Sequence, residues 1–179
     1  MKPLASPVLF FLSLLATAAM GAELTLNMGD IQIEDGDTLS VPMNGEAKRV
    51  QIAGIDAPED TDNPKMQRDL IRTGMEPDRL LKLGVMSTEY LRRLVRLGAP
   101  FTLKYQPGKV DRYGRIGAGL WDSADRSVAE SMVKGGYAVA LPGDSEQAKR
   151  LNALQAQAKQ TDAGLWGIDP EAARAWAGQ

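Results

Sequence analysis

Cysteine and histidine are both absent from these 179 residues. The missing histidines exclude a Ser-His-Asp triad, an imidazole base and the usual zinc-binding helix, and the missing cysteines exclude thiolate chemistry, disulfides and zinc knuckles. Basic charge is not in excess either: 21 Lys and Arg stand against 23 Asp and Glu, a formal net charge of −2. A protein that binds nucleic acid through positively charged tails is thereby excluded, and any polyanion has to be held by a local patch. No stretch is long and apolar enough to cross a bilayer. What remains for chemistry is carboxylates, Arg, Lys, Tyr and hydroxyls. Hydrophobic residues nonetheless make up 44% of the chain, which at this length suffices for one domain with its own core.

Lys2 precedes an apolar run from Val8 to Ala16, followed by small residues through Ala22. This pattern reads as a secretory signal peptide over residues 1–22, cleaved between Ala18 and Ala22. The expectation is export to a periplasm or the medium, with no membrane attachment after cleavage, as a monomer. Without disulfides, the exported domain depends on core packing for its stability.

The following residues alternate as strands do at 24–26, 31–33, 38–41 and 49–55, and Asn44-Gly45 is a two-residue hairpin signal because both residues tolerate positive φ. Residues 60–77 are polar and punctuated by Pro64, Gly74 and Pro77, so they read as a long loop or insertion. A helical stripe runs through Leu80, Leu83, Ser87, Tyr90, Leu91, Leu94 and Leu97, with Gly84 as a candidate break. Strands are expected at 101–105 and 116–121, a helix opened by Ser127, a short strand at 137–141, and a last helix opened by Asp144 with Gln147 at capping-box spacing. Residues 169–179 read as a short, frayed tail behind a domain spanning 23–168. Strands first, with helices inserted and appended, is an α+β order that closes naturally as a small barrel.

Three clusters carry candidate chemistry. Asp35-Gly36-Asp37-Thr38 sets two carboxylates where a turn enters a strand, Asp56-Ala57-Pro58-Glu59 sets two more at a strand exit, and Asp111-Arg112-Tyr113-Gly114-Arg115 forms a turn rich in Arg. Each alone is an ordinary turn or strand end. Together they suit a hard, oxygen-loving cation such as Ca²⁺ on Asp37 and Asp56, with Glu59 as base and Arg115 as a clamp on a phosphodiester.

On these clusters, and on the ending Ala163-Gly164-Leu165-Trp166-Gly167, the chain resembles the thermonuclease family, of staphylococcal-nuclease-like fold, over roughly residues 24–168. The resemblance implies a five-stranded OB-fold β-barrel with about three flanking helices and Ca²⁺-dependent hydrolysis of DNA or RNA. By the family pattern Asp37 and Asp56 bind the metal with the Ala57 backbone carbonyl, Asp35 stands behind them, Glu59 activates water and Arg115 stabilises the transition state.

One departure matters most. The family's second catalytic Arg, five residues before Asp56, is here Gln51. Losing one preorganised donor costs roughly 10²–10³ in rate. Arg49 is a candidate replacement, because residues two apart on a strand share a face at a separation of about 6.6 Å. The segment from Ala138 to Asp144 also lacks a Tyr to stack a base, leaving Arg112 and Tyr113 as substrate contacts. The alternative to a nuclease is a catalytically impaired barrel that binds nucleic acid or a protein partner.

Overall fold

The computed structural model describes residues 21–178. The expected signal peptide lies outside the described residues except for Gly21 and Ala22, the latter opening the first strand. No described helix is long and apolar enough to cross a membrane.

Strands β1 (Ala22–Leu26), β2 (Gln32–Ile33), β3 (Thr38–Met43), β4 (Glu46–Ile52), β6 (Phe101–Tyr105) and β7 (Ile116–Trp121) form one curled sheet in the order β1-β6-β7-β4-β3-β2. Strands β5 (Ile55–Asp56) and β8 (Val139–Ala140) pair separately. The helices are α1 (Pro64–Thr73), α2 (Pro77–Gly98), α3 (Val128–Lys134), α4 (Glu146–Gln160), α5 (Leu165–Ile168) and α6 (Pro170–Ala177). This is the expected OB-like α+β class, with six strands in the main sheet and more helices than the expected three.

The hairpin between β3 and β4 turns at Asn44 and Gly45, with φ of 52° and 80°, as a primed turn requires. Pairing in β3–β4 sets Thr38 opposite Gln51, while β4 runs parallel to β7 with Val50 beside Ile116. This second register decides the site: Arg49 and Arg115, each immediately preceding those partners, enter the sheet side by side. Leu39, Val50, Ile52, Leu103 and Leu120 fill the barrel beneath them.

A second core lies outside the barrel. Met66 of α1, Leu80 and Leu83 of α2, Trp166 of α5 and Trp176 of α6 are all buried in it. Two expectations are corrected here. The polar stretch at 60–77 contains helix α1, whose apolar face is covered from above, and the frayed tail is helix α6, with Ala172, Ala173 and Trp176 buried. The two elements fasten each other, because Arg72 of α1 donates to the Trp176 and Ala175 carbonyls at 2.7 and 3.2 Å. Asp169 caps α6 by accepting from the Ala172 amide, and Arg79 of α2 grips the same carboxylate at 2.7 and 2.8 Å.

Gly84 does not break α2. A Cβ at this position would stand 1.9 Å from the Glu59 carbonyl oxygen, so the helix carries glycine where the Glu59 backbone crosses it. Gly36 serves a similar close approach, with Ala57 and Ser87 each 2.8 Å from where its Cβ would be. The last long helix is capped by Ser145 and not by Asp144, since the Ser145 hydroxyl accepts the Ala148 amide at 3.1 Å.

Candidate active site

The Asp35 carboxylate holds the turn into β3 by accepting the amides of Asp37 and Thr38 at 3.0 and 2.7 Å. That turn delivers Asp37 into the protein at 3% exposure, where one carboxylate oxygen accepts the Ala57 amide at 3.0 Å and the other the Thr38 hydroxyl at 2.8 Å. The two carboxylate clusters of the sequence are thus stitched together by a direct bond from Ala57 to Asp37. Burial pushes the Asp37 carboxyl well above the usual carboxylate range, and the negative charges of Asp35 and Asp56 push it further. Asp35 is raised mainly by burial, against the pull of the amides it accepts.

Glu59, 8% exposed, lies over Gly84 of α2 with both oxygens engaged. One accepts from the Asn63 side-chain amide at 2.5 Å, and the other pairs with the Lys65 ammonium at 2.7 Å. The same ammonium is 3.1 Å from Asp56 Oδ1 and donates to the Ala57 carbonyl at 2.9 Å. Burial pulls the Lys65 pKa down, but the Asp56 and Glu59 carboxylates outweigh it and hold the group well above the ordinary lysine value.

Arg115 closes the other side. Its Nε lies 2.9 Å from Asp111 Oδ2, and its Nη1 donates to the Thr38 hydroxyl at 3.0 Å and stands 3.9 Å from Asp37. Asp111 also accepts the Tyr113 and Arg115 amides at 2.8 and 2.9 Å, so one carboxylate shapes the whole turn. Tyr113 is half exposed, with the Arg112 and Arg115 guanidinium carbons 4.8 and 5.4 Å from its ring centre.

A pocket of 240 Å³ opens between these groups, lined among others by Asp35, Glu59, Arg49, Arg68 and Arg115. Asp35, Asp37, Asp56, Ala57, Glu59, Arg115, Arg49 and Tyr113 therefore gather in one place. Gln51 and Arg112 do not line the pocket, and Asp37, Asp56 and Ala57 adjoin it only through their contacts with Arg115 and Lys65. Arg49 reaches it, but its guanidinium is tied to Glu34 by contacts of 2.7 and 2.6 Å.

Lys65, Arg68 and Asn63 were not legible as site residues, because all three belong to the stretch that reads as a loop. A signal was present: Asn63-Pro64 is an N-cap followed by proline at the first helical position, and the Asn63 side chain accepts the amides of Lys65 and Met66.

The donor chemistry around Asp37, Asp56, the Ala57 carbonyl and Glu59 is all oxygen, which suits a hard divalent cation. Their arrangement is closed around the Lys65 ammonium, and among the described residues no three acidic side chains stand grouped to hold a metal ion.

Comparison with known proteins follows the same lines. A family model described as staphylococcal nuclease homologue matches residues 49–167. Endonuclease YhcR of Bacillus subtilis is 28% identical over 141 residues, covering 75% of this chain but only 11% of that protein. A protein of Escherichia coli described as an uncharacterized endonuclease is 29% identical over 141 residues, 78% of this chain and 77% of its own length. A Methanocaldococcus jannaschii protein is 25% identical over 76% of this chain and 69% of its own. Because the match runs over residues 49–167, from within β4 into α5 and more than half of the chain, the chain belongs to the staphylococcal nuclease homologue family.

Proposed function

We propose that the protein is an exported, metal-dependent nuclease that hydrolyses phosphodiester bonds of DNA or RNA. The observation that carries this reading is the convergence, in one pocket, of the Asp35 and Glu59 carboxylates with Arg115 and Arg68. A phosphodiester needs positive groups for the charge that grows on its oxygens, and an attacking water needs a base.

Asp37, Asp56 and the Ala57 carbonyl would hold the cation, and calcium fits this oxygen set. When bound, it supplies a charge that draws a phosphate oxygen toward the carboxylates. Glu59 takes a proton from the attacking water, the new P–O bond forms, and the bond from phosphorus to one sugar oxygen breaks, that oxygen taking a proton from solvent to leave as an alcohol. Arg115, fixed by Asp111 and Thr38, faces the non-bridging oxygens. Arg68 enters from α1 and donates to the Tyr113 hydroxyl at 3.2 Å, its sole hydrogen-bond partner among the described residues. Its guanidinium supports a nuclease in spite of Gln51, because it supplies a second fork from a different element.

The alternative, a barrel that binds nucleic acid or a protein partner without cutting, is favoured by Gln51, by the mildly acidic net charge of −2 and by the closure of the carboxylates around Lys65. Digestion of single- and double-stranded DNA and of RNA by the purified protein, with calcium and with chelator, separates the two. Calcium-dependent cleavage that is lost in Glu59→Ala supports the enzyme; binding without cleavage in both proteins supports the barrel.

A further inference from the structure

The Lys65 ammonium has three N–H donors, and three oxygens meet it: Asp56 Oδ1 at 3.1 Å, the Ala57 carbonyl at 2.9 Å and Glu59 Oε1 at 2.7 Å. These belong to the very groups that the nuclease reading assigns to the cation and to the base. An ammonium and a divalent ion cannot share them, since both demand the same lone pairs in the same few ångströms.

We propose that Lys65 is a tethered cation that closes the carboxylate cluster and must be displaced before a divalent metal binds, so that metal loading and release of Glu59 are one event. The inference rests on the metal-dependent reading above.

The placement of Lys65 suits a group that moves. Its backbone is fixed at the start of α1, with its amide bound to the Asn63 side chain at 2.9 Å. Its side chain, 28% exposed, borders the open pocket. Four rotatable side-chain torsions lie between the pinned backbone and the charge, so departure needs only rotamer changes, with no movement of the helix. The electrostatics also leave room for exchange. The one ammonium contacts two carboxylates, Asp56 and Glu59, and a doubly charged ion at the same place matches their combined charge. While Lys65 stays, Glu59 is held on both oxygens, by Asn63 and by the ammonium, and is not available to water. The consequence is a metal affinity lowered by the fraction of molecules in which the site is closed.

The test is calorimetric titration of calcium chloride into the intact protein and into Lys65→Met, which keeps the length of the stem without the charge. Lys65→Met is expected to bind calcium at least tenfold more tightly. It is also expected to gain more in melting temperature from saturating calcium than the parent does, because its metal-free form carries uncompensated carboxylates. Equal or weaker binding by Lys65→Met, with one calcium bound by the parent, overturns the proposal and leaves the metal-dependent reading standing. Calcium bound by neither protein overturns both.

Should metal-free Lys65→Met not fold, the parent protein provides a second measurement. Reductive methylation followed by peptide mass spectrometry reads the accessibility of Lys65 directly. Labelling about tenfold faster with calcium than with chelator is expected, with the exposed Lys48 and Lys149 as controls, and an unchanged rate overturns the proposal.

Discussion

The Asp111 carboxylate holds Arg115 at two points, the guanidinium Nε lying 2.9 Å from one of its oxygens and the Arg115 backbone amide 2.9 Å from the other. The side chain proposed to face the phosphate is therefore oriented by Asp111. Asp111→Ala frees Arg115 to swing with its turn. A fall in kcat of roughly 10²-fold, the scale of losing one aligned donor, is expected with little change in KM. Asp111→Asn should retain part of the activity, because its side-chain oxygen can still accept the two amides. Full activity in Asp111→Ala would overturn the positioning role of Asp111 and leave it to Thr38.

Arg68 and Arg49 compete for the role left by Gln51. Arg49 is committed to Glu34, whereas Arg68 has only the Tyr113 hydroxyl to leave. Arg68→Ala is expected to lower kcat/KM by roughly 10²-fold, and Arg49→Ala by much less. Gln51→Arg in the Arg68→Ala background should recover part of the loss. Steady-state cleavage of a labelled oligonucleotide measures all three, and the reverse ranking would return the role to β4.

Gly84 offers an unusual sign. On helix propensity alone, replacing an interior glycine with alanine stabilises a helix by about 0.8–1.0 kcal/mol. Here the added methyl would meet the Glu59 carbonyl at 1.9 Å and the Asp60 amide nitrogen at 2.6 Å. Gly84→Ala is expected to destabilise the fold by roughly 1–3 kcal/mol, as overpacking does, and to lower kcat by displacing Glu59. Urea unfolding at neutral pH measures the first effect, and a rise in stability would refute the account.

Asp169 predicts a pH dependence. The hydrogen bonds from Arg79 hold its carboxyl below its ordinary value of 3.8. A depressed carboxylate pKa contributes stability above the unfolded value and loses it as pH falls through the folded one. Asn caps a helix as well as Asp does, so Asp169→Asn should be less stable than the parent at pH 7 by roughly 0.2–1 kcal/mol for the lost ion pair alone, and the gap should narrow toward pH 3. Thermal unfolding at the two pH values checks this, and a gap that stays constant would contradict it.

The barrel was legible because its signals are local. Asn44-Gly45 dictates its own turn, the alternation in β3 and β4 shows which face is buried, and the stripe of α2 carries the period of a helix across Gly84. The carboxylates and Arg115 were legible because they stand at strand ends, where chemistry and turn formation use the same residues. Helix α1 was not, and the reason is instructive. Pro64, Gly74 and Pro77 were read as breakers inside a loop, yet Pro64 opens α1, Gly74 closes it with φ of 67°, and Pro77 opens α2. Only Met66 of α1 is buried, against partners supplied by α2 and by residues a hundred positions later, so local periodicity carried too few apolar residues to reveal it. Lys65 and Arg68 went unseen for the same reason, since their direction follows from a helix whose existence depends on distant packing.

The bond between Arg72 and the end of α6 also sets an order of events. The wall that brings Lys65 and Arg68 to the pocket is fastened to carbonyls 103 and 104 residues further along the chain. Contacts that span so much sequence close slowly and late compared with local ones. A chain still emerging, without residues 175 and 176, can pair its strands and set Arg49 and Arg115 beside the carboxylates but cannot fasten this wall. Lys65 and Arg68 take their places at the pocket only when the far end of the chain has folded back onto α1.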